Sequence, residues 1–148
     1  MSSSAVRFAV LAAVRHAAHH AGDYWVQTDH QAVAKGKAGR DGQLACVAHV
    51  AGYTATNLVA IAAANRAFGL GLTARGIALG ELVSAVTHYA ADRREHGLLP
   101  RAARRLGKGG FLDRGGAPLL DQAWHHAANA IAAGLTATAA PAPTNAAR

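Results

Sequence analysis

The sequence has very little cysteine and few aromatic residues. Cys46 is the single cysteine among 148 residues, so an intramolecular disulfide and a cysteine-based zinc cluster are both excluded. Aromatic residues make up 5% of the chain, whereas 51% is hydrophobic and much of that share is alanine. Small side chains of high helix propensity favour closely packed helices. If the protein binds a metal ion, histidine and carboxylate must therefore supply the ligands.

Acidic residues are also scarce. Eight Asp and Glu stand against 15 Lys and Arg, which gives a formal net charge of +7. A strongly basic chain suits an anionic partner, such as a phosphorylated small molecule, an acidic membrane surface or a nucleic acid. A nucleic acid is the weakest of these candidates, because the chain offers neither aromatic platforms nor a recognition helix. The expected partner is an anionic small molecule or an acidic membrane surface.

The sequence lacks a secretory signal and any strongly apolar long run. Arg7, Arg15 and three histidines interrupt the stretch 1–22, where a signal peptide would need its apolar core. Residues 44–64 carry no formal charge over 21 positions, which is long enough to cross a bilayer, but alanine dominates them and they include His49. We expect a membrane location with a site facing the cytoplasm, and a cytoplasmic protein as the alternative.

Apolar periodicity predicts four helices and no strand. The first has candidate breaks at Gly22 and at Thr28–Asp29, and Thr73 is a candidate cap for the third. Short connections between them favour an all-α, up-down-up-down four-helix bundle. The predicted helices span 5–34, 43–66, 73–95 and 118–135.

Two segments fall outside this pattern. Residues 96–117 are non-periodic and basic, contain Pro100 and several glycines, and include a short predicted helix near 101–106. Residues 136–148 contain two prolines within alanine and threonine, a composition typical of disorder. The sequence therefore predicts one helical domain over 1–135, followed by a disordered tail.

Each predicted helix carries a polar pair spaced four residues apart, which places both side chains on one helix face. A single pair of this kind is usually an ordinary hydrogen-bonded couple. A pair on every helix, each within Ala, Val and Leu, indicates a shared polar site instead. The pairs are His19/Asp23, His49/Tyr53, His88/Asp92 and Asp121/His125, with Gln27 and Asn129 one turn beyond the first and the last.

In the predicted topology all four pairs fall at the same end of the bundle. The first and third pairs lie late in their helices and the others lie early, so alternating helix directions bring them together. Helix bundles build metal centres from facing side chains in this way. Asp23 and Asp92 are also candidate catalytic bases. The predicted metal ligands, for a divalent Zn-like or Mn- or Fe-like ion, are His19, Asp23, His49, His88, Asp92, Asp121 and His125.

The loops at that end carry most of the positive charge. Three interpretations are open: a positively charged entrance for an anionic substrate, the cytoplasmic face of a membrane bundle, or ordinary solvated loops. His16, His20 and His126 adjoin predicted ligands but point elsewhere on their helices, so they are expected to support the site or to be exposed. Glu81, two turns before His88, is interpreted as a surface residue, with a deeper ligand or a proton acceptor as the alternative. The basic residues are Lys35, Lys37, Arg40, Arg93, Arg94, Arg101, Arg104, Arg105, Lys108 and Arg114, ten of the 15 Lys and Arg.

The order of these motifs resembles an uncharacterised family of small bacterial and phage proteins. The resemblance covers about residues 16–135, and GDYWVQTD and LLDQAWHH are its most specific segments. That family is known as a domain of unknown function, is usually predicted to be membrane-embedded, and is similar to membrane-bound metal-dependent hydrolases. The resemblance implies the same seven site residues. This chain departs from the family in being less hydrophobic and in its long basic third loop.

The motifs and the resemblance together predict a metal-dependent hydrolase-like protein. His and Asp would bind one or two divalent ions that activate water for attack on a phosphorylated or otherwise anionic compound. The alternative is a non-catalytic, membrane-associated helical bundle whose polar core fixes helix register or handles ions or protons.

Overall fold

The computed structural model describes residues 2–94 and 97–139, and these residues are helical with no strand. The prediction of an all-helical protein is confirmed. In chain order the elements are α1 (Ser4–Ala21), a π turn (Gly22–Val26), α2 (Asp29–Ala34), α3 (Gly39–Phe68), α4 (Ala74–Asp92), α5 (Leu98–Arg105), α6 (Gly109–Phe111), a second π turn (Leu112–Gly116) and α7 (Ala117–Thr138). The long helices are α1, α3, α4 and α7, and the shorter helices and the two π turns connect them.

The first predicted helix is divided into α1 and α2. The hydrogen-bonding pattern changes at Gly22, where the first π turn begins, although Gly22 keeps α-helical dihedral angles, and Gln27 is extended with φ −60° and ψ 130°. Thr28 then caps α2: its side chain accepts a hydrogen bond from the Gln31 backbone N–H, and the Gln31 side chain accepts one from the Thr28 N–H. The α-helical hydrogen-bonding pattern is therefore interrupted at both predicted positions, Gly22 and Thr28–Asp29.

The other helix boundaries differ from the predicted ones by a few residues. Thr73 caps α4 as predicted, with its hydroxyl accepting from the Gly76 N–H, but α4 ends at Asp92 rather than at 95. The helix predicted over 118–135 continues to Thr138, and Thr136 is fully buried, so the predicted tail does not begin at 136. Residues 140–148, the rest of that predicted tail, lie outside the described residues.

The long helices surround a small apolar core. α1 packs against α3 and α7, and α4 packs against the same two helices. Leu11, Ile61, Ala133 and Ala137 form a buried apolar cluster between them. Because these side chains fill only part of the interior, the remainder is left to polar residues.

Polar side chains occupy much of the interior, and large apolar side chains lie outside. Arg7, Arg15 and Asp92 are 0% exposed, whereas Val59 is 72% exposed and Leu82 61%. Charged residues are usually exposed and large apolar residues usually buried, so these positions are unusual. Large exposed apolar patches commonly mark an interaction with a membrane or with another protein. α3 is long and apolar enough to cross a membrane, although core helices of soluble proteins also meet that criterion and 33% of its most apolar window is buried.

Candidate metal centre

Two histidines face each other in the middle of the polar interior. Nε2 of His49, on α3, lies 2.9 Å from Nε2 of His88, on α4, and both residues are buried. Oδ1 of Asp23 lies 3.4 Å from each of these nitrogens. Oδ2 of Asp92 lies 3.3 Å from the His49 nitrogen and 3.2 Å from that of His88. These four side chains form the buried centre.

Hydrogen bonds alone cannot satisfy the four atoms of the buried centre. Each imidazole nitrogen carries at most one proton, and an ionised carboxylate only accepts. The five close contacts therefore share at most two protons, and the remaining contacts bring electron pairs together. A cation beside the two histidine nitrogens would remove that repulsion, because all four atoms are ligand types that divalent ions accept.

The separations at the two histidines also fit a bound ion. Bonds of about 2.0–2.2 Å to nitrogen and oxygen place the ligands of a tetrahedral Zn²⁺ about 3.3–3.6 Å apart. The two histidine nitrogens are 2.9 Å apart, and each lies 3.2–3.4 Å from one oxygen of Asp23 and one of Asp92. Each carboxylate therefore forms, with the two histidines, a set of three donors that fits a Zn-like ion with small adjustments.

The first π turn positions Asp23 towards the two histidines. A π turn contains one more residue than an α turn and is often found at functional sites. Gly22 allows this turn to approach α3, because a Cβ atom at that position would lie 2.9 Å from Cδ2 of Tyr53. Gln27 closes the turn: its backbone N–H donates to Gly22 O at 3.1 Å, and its side-chain amide donates to Asp23 O at 3.2 Å.

Lys35 is the counter-ion of Asp92. Its Nζ lies 2.9 Å from Asp92 Oδ1, and both side chains are buried. The Arg93 guanidinium donates to the Lys35 backbone oxygen at 2.8 Å, which holds the end of α2 against α4. Lys35 lies in the turn that follows α2, as predicted, but it is buried and paired instead of contributing a solvated loop charge. The sequence signal that could have identified this role is spacing, since Lys35 lies four residues after Gln31, which itself lies four residues after Gln27.

His19 and His125 border the buried centre from α1 and α7. Their rings stack with centroids 5.1 Å apart, and the His125 ring is 4.2 Å from that of His88. Nε2 of His19 lies 3.0 Å from Oε1 of Gln122 and 3.7 Å from Oδ2 of Asp23. His125 Nδ1 donates to the backbone of its own helix, at Asp121 O, and its buried Nε2 has no hydrogen-bond partner among the described residues.

Asp121 lies at the edge of the site, next to a small cavity. Its side chain is 14% exposed, and its Oδ1 is 3.8 Å from His125 Nδ1. Asp92, Asp121 and His125 each offer one ligand atom within 4.8 Å of the others. The cavity has a volume of about 80 Å³, has mostly apolar walls, and includes Asp121 and Arg94. A polar group of a small ligand would therefore meet one carboxyl and one guanidinium there.

A network of hydroxyl and amide groups lies next to the two histidines of the buried centre. The Tyr53 ring lies 4.0 Å from the His88 ring. Asn129 donates to the Tyr53 hydroxyl oxygen at 2.9 Å, and Ser84 donates to the Asn129 carbonyl at 3.2 Å. Because α3, α4 and α7 each contribute a member, this network fixes the relative positions of the helices that carry the site.

Electrostatics place the carboxylates and His19 in metal-binding forms. Burial acts to raise the pKa of Asp23 and of Asp92, but the contacts with His49 and His88 outweigh burial and the pKa of each carboxyl is lowered. Burial lowers the pKa of His19 to about 4, since Asp23 and Gln122 offset it only in part. Both carboxyls are therefore ionised and His19 is neutral at pH 7.

Asp121 behaves differently from the other carboxyls. Burial raises its pKa, and the nearby His125 opposes this effect without cancelling it. A raised pKa makes this carboxylate a stronger proton acceptor than an ordinary aspartate, so Asp121 is a candidate for proton transfer.

The structure brings the seven predicted ligands into one region, and four of them, His49, His88, Asp23 and Asp92, form the buried centre. The other three, His19, Asp121 and His125, lie around it. Sequence reasoning missed Lys35 and Gln122. Glu81, interpreted as a surface residue, is 6% exposed and pairs with Arg15 at 2.8 Å. No family model, no curated protein and no solved structure matches this chain.

Proposed function

We propose that this chain is a metal-dependent hydrolase-like protein whose buried centre holds a divalent ion. The observation that carries the proposal is the approach of Asp23 Oδ1 and of Asp92 Oδ2 to the facing nitrogens His49 Nε2 and His88 Nε2, with separations of 2.9–3.4 Å at these nitrogens. Two imidazoles and two carboxylates suit Zn²⁺ and also Mn- or Fe-like ions. His19 and His125 lie close enough to complete or support the ligand set. The resemblance of the motifs to a family related to metal-dependent hydrolases supports the same reading.

The proposal includes an up-down-up-down arrangement of α1, α3, α4 and α7 with the site at one end. Residues near the ends of α1 and α4, namely His19 and His88, lie against residues near the starts of α3 and α7, namely His49 and His125. Helices that alternate in direction bring late and early residues together in this way.

The chain's own residues divide the chemistry between them. A divalent ion held by three of these ligands would keep a position for water and would lower the pKa of that water so that hydroxide is available near pH 7. Of the two predicted bases, Asp23 is better placed than Asp92, because Lys35 already occupies Asp92 Oδ1 whereas Asp23 retains 8% exposure. Asp121, with its raised pKa, is suited to delivering a proton to the leaving group.

We propose an anionic substrate, such as a phosphate ester. Arg94 lines the small cavity together with Asp121, and the exposed Arg101, Arg104 and Arg105 follow on or near α5. Clustered positive charge raises the local concentration of an anionic substrate. An acidic membrane surface has the same charge, and the outward apolar side chains suit a membrane location with the basic side towards the cytoplasm.

The test of this function is turnover by the full chain, purified in detergent and loaded with Zn²⁺ or Mn²⁺. Phosphomonoesters, phosphodiesters and carboxylic esters are the substrates. We expect ion-dependent hydrolysis that His88→Ala abolishes, that Asp121→Asn reduces at least about 100-fold in kcat, and that the exposed His30→Ala leaves unchanged. A protein that binds the ion in the buried centre without hydrolysing any of these esters would contradict the hydrolase proposal.

A second candidate function is an ion- or proton-handling bundle in the membrane, and one observation favours it. Buried polar groups continue from the buried centre through Tyr53 and Ser84 to the Arg15–Glu81 pair, which hydrolysis does not require. Intramembrane ionisable residues commonly mark ion or proton pathways.

Proton flux in reconstituted vesicles tests this second candidate. An ion- or proton-handling bundle would dissipate an imposed pH gradient, and Glu81→Gln would slow that flux. Vesicles that hold the gradient as well as protein-free vesicles would contradict it.

A further inference from the structure

Three further histidines cluster on the outer surface of the bundle. His16 and His20 are four residues apart on α1, and His126 lies opposite them on α7. The ring centroid of His16 lies 4.7 Å from that of His20 and 4.8 Å from that of His126. The centroids of His20 and His126 are 5.7 Å apart. One ring nitrogen from each lies within 4.8 Å of the others. We call these residues the outer histidine cluster.

The outer histidine cluster differs from the buried centre in exposure and in chemistry. His16 and His126 are exposed and His20 is half-buried, whereas the buried centre is closed. Its group consists of imidazoles alone, with no carboxylate among the described residues that form it. The rings lie beside a surface depression whose other walls are mainly small, Ala12, Ala13 and Ala130. There is room for an ion and for the solvent that would complete its coordination.

We propose that the outer histidine cluster is a second, solvent-accessible metal site for Zn²⁺, Ni²⁺ or Cu²⁺. Neutral imidazole suits these ions, while Mg²⁺ and Ca²⁺ need oxygen ligands that the cluster does not supply. Ligands of a tetrahedral ion lie about 3.3 Å apart. The three nitrogens already lie within 4.8 Å of one another, so rotation of the side chains can bring them to bonding distance.

The helices α1 and α7 fix the positions of the three residues of the outer histidine cluster before an ion binds. The spacing of four residues sets His16 and His20 one above the other on a single face of α1. Packing of α1 against α7 brings His126 to them from a second element. Because two rigid elements supply the ligands, binding requires only side-chain rotation.

One layer of imidazole separates the outer histidine cluster from the buried centre. The His19 ring lies 5.2 Å from that of His20 and 5.6 Å from that of His126. The two sites share no ligand, so each is expected to fill independently. The inference therefore does not rest on hydrolysis at the buried centre.

Equilibrium dialysis of the full chain against Ni²⁺ tests the inference, with the stoichiometry measured for each variant. Removing one ligand, in His126→Ala, or two, in His16→Ala with His20→Ala, should remove one equivalent of Ni²⁺ relative to wild type. The exposed His30 on α2 is the matched control, and His30→Ala should bind as wild type does. Far-UV circular dichroism checks that these surface changes leave the helices intact.

Two results would overturn the proposal. One is a stoichiometry of His126→Ala equal to that of wild type and His30→Ala, which would leave His126 outside any site. The other is an electron paramagnetic resonance spectrum of bound Cu²⁺ that is the same in wild type and in His126→Ala. The proposal requires nitrogen hyperfine structure from this site that changes when His126 is removed.

Discussion

Single charged side chains in the interior of this protein each depend on one specific partner. Lys35 pairs with Asp92 at 2.9 Å, and Arg15 pairs with Glu81 at 2.8 Å, with all four side chains almost completely buried. Removing one member of a buried pair leaves an uncompensated charge, which costs far more stability than losing an exposed pair. The consequences of single substitutions should therefore be large at these positions and small at neighbouring exposed ones.

The replacement Lys35→Met tests this dependence. It should lower the free energy of unfolding of the metal-free protein by about 3 kcal/mol, because Asp92 is left buried without its counter-ion. Lys37→Met, two residues away and exposed, should change it by less than about 0.5 kcal/mol. Chemical denaturation followed by circular dichroism measures both. Equal effects of the two variants would mean that the Lys35–Asp92 pair contributes nothing specific.

His19 makes the stability of the metal-free protein depend on pH. Its folded pKa of about 4 lies below the ordinary value of 6.5 because of burial, so the unfolded chain binds the extra proton between these values. Stability from this residue is fully present above pH 6.5 and falls as the pH drops towards 4, by roughly 3 kcal/mol in total. His19→Gln, which cannot titrate, should flatten the slope in this window. An unchanged slope would contradict the burial argument.

The first π turn is the element on which the site geometry depends most. Gly22 lets this turn lie against Tyr53, and the turn places Asp23 next to the two histidines of the buried centre. The sequence indicated a change of structure at Gly22 and not its form. Period-based reasoning assumes a constant helical repeat, so it cannot anticipate a turn with one additional residue.

Two glycine-to-alanine replacements separate this role from ordinary helix propensity. Gly22→Ala should lower the free energy of unfolding by about 1–3 kcal/mol, because its Cβ would meet the buried Tyr53 ring at 2.9 Å. Gly134→Ala, in α7 with nothing within 4 Å of the added Cβ, should raise it by about 0.5–1 kcal/mol. Thermal unfolding measures both. Stabilisation by Gly22→Ala would show that the close approach to Tyr53 is not required.

Across the described part of the molecule many polar side chains are buried and many large apolar side chains are exposed, and this arrangement limited what the sequence could predict. Spacing of four residues found His49, His88, Asp23 and Asp92, because polar groups repeated on one face of each helix. The same reasoning placed Glu81 at the surface, since a charged residue is normally exposed. Which polar side chains meet at a point depends on helix rotation and on the π turn, and the sequence does not reveal either.

Binding to acidic membranes should depend on the exposed basic residues of α5. Arg104→Ala with Arg105→Ala should weaken sedimentation with anionic phospholipid vesicles more at low salt than at high salt, because ions screen charges over roughly 8–10 Å at physiological ionic strength. Arg66→Ala with Arg75→Ala, exposed on α3 and α4 far along the chain from α5, is the matched control and should have little effect. Binding that responds to neither the α5 variants nor salt would leave these charges as solvated loop residues.

The central claim is that the buried centre binds a divalent ion, and the metal content of purified protein tests it most directly. The His126→Ala chain is the best starting protein, because it lacks the outer histidine cluster and reports the buried centre alone. Elemental analysis after dialysis should find at least one equivalent of a Zn-, Mn- or Fe-like ion, lost on adding His88→Ala or Asp92→Asn and retained on adding His30→Ala. A folded protein that holds no divalent ion, or the same amount with and without His88, would contradict the account.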